Sequence, residues 1–196
     1  MSDKLFTYPI EKLWQWILAE EKSGSIFGIT KELFFRPEID DPFRLSRYGQ
    51  MLETPIGVAA GPHTQLSQNI IASWLCGARY IELKTVQILD DIKVSKPCID
   101  MEDEGYNCEW SQELSLAESY DQYIDAWILM HLLRHHFGWG DEEQGFIFNM
   151  SLGYNLEGIH SSKMQRFLNR MIDCSGDKTA KIESLLQTYP DIKKID

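Results

Sequence analysis

Apolar residues recur at helical spacing from Ile10 to Glu21, where Ile10, Leu13, Trp14, Ile17 and Leu18 share one face, and this predicts an amphipathic helix that Gly24 ends. An aromatic stretch from Ser25 to Pro37 follows, in which Phe27, Phe34 and Phe35 read as packing or contact residues. Two short strands about a turn at Gly49 then lead into a regular alternation. Strand Ile56 to Ala60 meets Gly61. A helix over 65–76 carries Ile70, Ile71, Trp74 and Leu75 on one face and is capped by Gly77, and a strand over 79–86 follows. After an irregular acidic stretch from Asp90 to Asn107, the pattern predicts a helix over 111–137 closed by Gly138 and a strand over 145–151. It then predicts a helix over 162–173, with Ser162 and Gln165 at capping-box spacing. The last twenty residues are polar and at most helical.

Strands alternating with helices imply a parallel sheet, either doubly wound or part of a (β/α)8 barrel, because a helix is the usual crossover between parallel strands. A complete (β/α)8 barrel takes about 250 residues and eight such units, and about three are legible here. The expected fold class is therefore α/β, the N-terminal portion of a TIM-type (β/α)8 barrel with an extra N-terminal helix and hairpin. The expected division is a helical and hairpin extension over 1–50 and a partial α/β barrel over 51–196.

Composition narrows the function classes. Of 196 residues, 43% are hydrophobic, enough for one sizeable core. Thirty acidic against nineteen basic residues leave a net charge of -11, which repels phosphate backbones and anionic lipid. The apolar runs, such as Ala126 to Met130, fall far short of the roughly 20 residues a membrane span needs. The N-terminus has no basic segment followed by a cleavable apolar one, and a cytoplasmic location is expected. Cys76, Cys98, Cys108 and Cys174 form no C-x-x-C pair, which argues against a disulfide framework and a zinc site.

The candidate chemistry gathers at strand ends. Ala59, Ala60 and Gly61 lack bulk at the carboxyl end of the first barrel strand, where a flat ring could lie against the backbone. Their turn is neither G-x-G-x-x-G nor a P-loop, so it licenses no phosphate site, and its small residues serve equally for helix–strand packing. In the next strand, alternation puts Tyr80, Glu82, Lys84 and Val86 on one face and Ile81, Leu83 and Thr85 on the other. Glu82 and Lys84 then face the barrel interior, either neutralising each other or serving a site, with the Lys84 ammonium placed to stabilise negative charge on a ring. Asn107, and Asn149 with Ser151, are amide and hydroxyl groups suited to a heterocycle edge, or to capping turns. His63 lies in an exposed loop. His131, His135 and His136 lie on the long helix, where packing is a better account than metal.

The stretches "AAGPHTQLSQNI", "ELKTVQILD" and "KPCIDMEDE", within a likeness running from Ser25 to Asp173, resemble the N-terminal barrel region of the selenate reductase flavoprotein subunit family. That family is related to dihydroorotate dehydrogenase and to the FMN domain of dihydropyrimidine dehydrogenase. The resemblance implies FMN, contacted by Ala59, Ala60 and Gly61, by Lys84 and Thr85, and by Asn107. The general base and the flavin phosphate site of the related dehydrogenases have no counterpart before Asp196, and Cys174 follows a helix, so no catalytic residue is assigned. The resemblance implies FAD, NAD(P)H and iron–sulfur groups only in domains further along such a protein, and the Cys clusters that iron–sulfur centres need are missing here. Two readings follow. The chain is the front of a flavin-linked oxidoreductase subunit, inactive alone and partnered by other subunits or domains of the complex or by itself. Alternatively it is a non-catalytic structural or assembly module with an aromatic N-terminal interface.

Overall fold

The computed structural model describes residues 5–89, 99–100, 106–107, 114–139, 143–152 and 155–192. The first helix, α1 (Ile10–Glu21), forms over the predicted span and buries Ile10, Leu13, Trp14 and Ile17. Two small antiparallel hairpins follow, β1 (Ser25–Ile26) with β2 (Ile29–Thr30) and β3 (Leu45–Arg47) with β4 (Gln50–Leu52). Each turns through two left-handed residues, Phe27 and Gly28 (φ 50° and 76°) and Tyr48 and Gly49 (φ 52° and 75°), the geometry that matches the twist of the paired strands. The sequence pattern marks the second hairpin and not the first. Both turns place an aromatic residue, in place of Asn or Asp, before the glycine, and at the first the Phe27 ring is held edge-on to Trp16 at 4.9 Å.

The barrel portion begins with β5 (Gly57–Val58), a 3-10 turn (Pro62–Gln65), α2 (Ser67–Leu75) and β6 (Tyr80–Val86). It continues with β7 (Ile99–Asp100), β8 (Tyr106–Asn107), α3 (Leu116–Phe137), β9 (Ile147–Leu152), α4 (Leu156–His160), α5 (Ser162–Ile172) and α6 (Ser175–Thr188). β5, β6 and β9 pair in that order and all in parallel, with α2 and α3 in the two crossovers, which is the front of a TIM-type barrel.

Local chemistry corrects several boundaries. The long helix starts at Leu116 because Ser115 and Glu118 form a reciprocal cap, the Glu118 N–H donating to the Ser115 hydroxyl at 3.2 Å and the Ser115 N–H to the Glu118 carboxylate at 2.9 Å. The cap of α5 is Ser161, whose hydroxyl accepts from the Met164 N–H at 3.3 Å. Gln165 instead donates to the Ile159 carbonyl at 2.8 Å. The stretch expected to be irregular includes a short antiparallel pair, β7 with β8, in which Ile99 faces Asn107. Residues 90–98, 101–105 and 108–113, which include Cys98 and Cys108, lie outside the described residues.

One core joins α1, α2, α3, β6 and α6, with Leu13, Ile17, Ile70, Trp74, Ile81, Leu129 and Leu185 among its buried members. Each such side chain contributes about 1.5–3 kcal/mol by leaving water. The sheet itself depends on Gly57, where an added Cβ would lie 2.5 Å from the Tyr80 carbonyl oxygen. Gly57→Ala should therefore push β5 off β6 and cost about 1–3 kcal/mol. A urea denaturation midpoint unchanged by the substitution would contradict this close approach.

At the amino end of β6, three charged side chains are buried together. Glu53, Arg79 and Arg134 are 1%, 0% and 6% exposed. The Glu53 carboxylate accepts from Arg79 Nε and from Arg134 Nη1. Arg79 also donates to the Trp74 carbonyl at 2.7 Å and Arg134 to the Glu143 carbonyl at 2.9 Å. Burial pulls the Arg79 guanidinium below its ordinary value, and Glu53 opposes that pull.

Candidate cofactor site

At the other end of the same strands, the ladder between β5 and β6 stops at Val58 opposite Ile81. Ala59 then stands exposed, Ala60 half-buried and Gly61 buried. The turn after them is tied by Thr64, whose hydroxyl accepts from the Gly61 N–H at 3.2 Å and donates to the Gly61 carbonyl at 3.1 Å. The His63 ring covers Gly61 so closely that a Cβ there would lie 2.6 Å from its Cε1.

On β6, Ile81 and Leu83 enter the helix-side core as the alternation predicts, and Glu82 lies half-buried between them in sequence. The Glu82 carboxylate accepts from the Ala60 N–H at 3.2 Å, so it joins β6 to the turn beyond β5. In the parallel ladder Glu82 is the register partner of Asn149, which makes the carboxylate and the amide neighbours on one face.

Strict alternation then fails. Leu83 faces Met150 and Val86 faces Leu152, so Lys84 and Thr85 together stand opposite Ser151. This is a β-bulge, and it returns Val86 to the buried core with Ile81 and Leu83, where alternation had placed it beside Lys84. Lys84 is 3% exposed and Thr85 half-buried. From α3 the Tyr123 hydroxyl donates to the Lys84 carbonyl at 3.1 Å, pinning the bulge, and burial pushes that phenol well above its ordinary value. No pattern in a single strand signals a bulge, because it is defined by the partner's register.

The structure thus ties the turn that holds Ala59, Ala60 and Gly61, through the Ala60 N–H, to Glu82 on β6, the strand that also carries Lys84 and Thr85. Asn107 has its backbone in β8, and its side chain lies outside the described residues. His131 is packed at 5.1 Å from Trp127 and 5.4 Å from Phe146. Burial, then the charges of Arg134 and Lys178, push it down to about 4. His136 pairs with Glu21 at 2.9 Å, and among the described residues no three His, Cys, Asp or Glu side chains gather as a metal site. No described helix is long and apolar enough to cross a membrane.

Residues 27–195 match the family described as "Oxidoreductase YgfK, N-terminal TIM-barrel domain". The chain belongs to this family. It is 49% identical over 176 residues to the "Putative oxidoreductase YgfK" of Escherichia coli strain K12, and equally to that of Escherichia coli O157:H7. The match takes in 89% of this chain and 17% of each relative, so the chain spans about a sixth of the length of these YgfK proteins. Among solved structures, a ligand-free type DHODH from Eimeria tenella is similar with a TM-score of 0.40 and 16% identity, over 91% of this chain and 53% of that one. The parallel β5, β6 and β9 all lie within the matched residues, and their pairing agrees with the TIM-barrel description of the YgfK family.

Proposed function

We propose that this chain supplies the front of an FMN-binding barrel in a flavin-linked oxidoreductase, with Ala59, Ala60, Gly61, Lys84, Thr85 and Asn107 along the flavin. The observation that carries this reading is the small-residue turn after β5, exposed at Ala59 and half-buried at Ala60, which Glu82 joins to the strand that holds Lys84. The residues fit the ring portion of such a cofactor. Ala59 and Ala60 leave room for a flat face, and a lysine stands at the bulge one strand over. Bound FMN supplies electron transfer to and from a substrate. The chain's own part is to bear the ring on Ala59 and Ala60, to offset negative charge on it with the Lys84 ammonium, and to meet its polar edges with Thr85 and Asn107.

The resemblance to selenate reductase flavoprotein subunits supports the same reading. It extends it to a cytoplasmic complex whose other domains or subunits carry FAD, NAD(P)H and iron–sulfur centres. Residues 1–50 are then an extension on a barrel that starts near residue 51. A second reading, a non-catalytic assembly module, is favoured by Phe6 and Leu33, which are 70% and 63% exposed in the N-terminal region.

One substitution separates the two readings. In the longest polypeptide carrying this domain, Lys84→Met should remove FMN from the purified protein while moving the melting temperature little. Lost stability with FMN retained would leave Lys84 as scaffold. A well-folded wild type without FMN would decide for the assembly module.

A further inference from the structure

We propose that Glu82 is a positioning residue for the flavin ring. Its carboxylate fixes the Ala60 peptide so that the turn offers a flat, donor-free surface, and its charge sets the electron affinity of the ring placed there. The inference rests on the FMN reading above.

A carboxylate on the inner face of a barrel strand is costly unless it is paired or used. Here one oxygen accepts from the Ala60 N–H at 3.2 Å. That N–H lies just past the end of the β5 ladder, whose last pair is Val58 with Ile81, so among the described residues no neighbouring strand backbone takes it. The next N–H, of Gly61, is taken by the Thr64 hydroxyl at 3.2 Å. Two successive donors of the turn are thus engaged by side chains, where an anion-binding turn would present them to its ligand. The surface that remains is small and apolar at Ala59 and Ala60, which suits the face of a planar ring and not its phosphate. Because a trans peptide points its N–H and the preceding C=O in opposite directions, holding the Ala60 N–H against Glu82 also turns the Ala59 carbonyl away from β6.

Glu82 does this from a charged position. Asn149 is its register partner across the sheet, and Lys84 follows two residues on at the bulge. A negative charge beside a ring that gains electrons opposes the reduced, anionic form, and the Lys84 ammonium favours it. Glu82 therefore tempers what Lys84 does.

The test uses the longest polypeptide carrying this domain, with Glu82→Gln and Glu82→Ala. Glutamine keeps an oxygen for the Ala60 N–H and removes the charge, whereas alanine removes both. Three readouts are needed: hydrogen exchange at the Ala60 amide, the FMN dissociation constant from fluorescence titration, and the flavin midpoint potential.

The expected result is an Ala60 amide protected in the wild type and in Glu82→Gln, and exchanging about tenfold or more faster in Glu82→Ala, the loss of one charge-assisted hydrogen bond. FMN should bind about tenfold more weakly to Glu82→Ala and near normally to Glu82→Gln, whose potential should be more positive than that of the wild type. Equal Ala60 exchange in all three proteins, or equal FMN affinity and potential, would overturn the proposal with the FMN reading intact. A wild type whose Ala60 amide is protected but which takes up no FMN would overturn the FMN reading itself and this role with it.

Discussion

Glu53→Ala is expected to destabilise the protein by about 3 to 5 kcal/mol, the range for stranding a buried charge by removing its partner. In a domain of this size that lowers the melting temperature by about 10 °C or more. The cost comes from what stays behind. Arg79 and Arg134 are both drawn out of water, and the Glu53 carboxylate accepts from both. Arg79 keeps the Trp74 carbonyl at 2.7 Å and two aromatic faces, Trp74 at 5.2 Å and Phe35 at 5.5 Å, none of which supplies a full negative charge. Glu53→Gln keeps the shape and one acceptor oxygen and should fall between wild type and alanine. Thermal and urea denaturation of the three proteins would check the order, and an alanine variant within about 1 kcal/mol of wild type would show that water or a shifted loop replaces the carboxylate.

The second expected result is a pair of opposite pH dependences. Burial lowers His131 to about 4, so the unfolded chain takes up a proton near 6.5 that the folded chain refuses until about pH 4. His131 therefore withdraws about 3 kcal/mol of stability as pH falls through that window. Asp125, buried in α3 against Lys181 at 2.8 Å, is raised by burial to about 6. The folded chain here takes up a proton before the unfolded chain, whose carboxyl titrates near 3.8. Asp125 thus adds about 3 kcal/mol as pH falls from about 6 to 4. In the wild type the two largely offset each other. His131→Phe, relative to wild type, should gain stability on going from pH 7 to pH 4, and Asp125→Asn should lose it. Denaturation midpoints measured across that range, taken as differences from wild type so that other carboxylates cancel, would show diverging curves. Parallel curves would mean that neither group keeps its buried state.

What the sequence makes legible is what its local periods encode. The span of α1 and the alternation from β5 to β6 follow from which residues can share a face, and the position of Ala59 to Gly61 at a strand end follows from the same alternation. The start of α3 was also legible. Ser115 and Glu118 carry the capping signal, four residues inside the expected start at 111, and Leu114 continues the apolar face upstream of it. Other features depend on distant partners and leave no local trace. The bulge at Lys84 and Thr85 exists only relative to β9. The bond from Ala60 to Glu82 spans two strands, and the Glu53, Arg79 and Arg134 cluster joins three segments far apart in the chain. Arg134 reads locally as a basic residue in the last turn of a helix, where it would suit the dipole. Only the fold reveals that it is interior.

The order β5, β6, β9 has a consequence for how this polypeptide behaves under stress. β6 is paired on both sides, while β9, at six residues the longer of the two outer strands, has a partner among the described residues on one side only. A row of unpaired amides and carbonyls along such a strand is a template for any extended segment that approaches it. A neighbouring strand of the same protein can use it to continue the sheet. In a crowded or overheated solution, a second molecule can use it to start an aggregate. Loss of this protein on heating should accordingly depend on its concentration, and a lysine at the exposed Ser151, where charge discourages strand-to-strand growth, should slow that loss more than it changes the melting temperature of dilute protein.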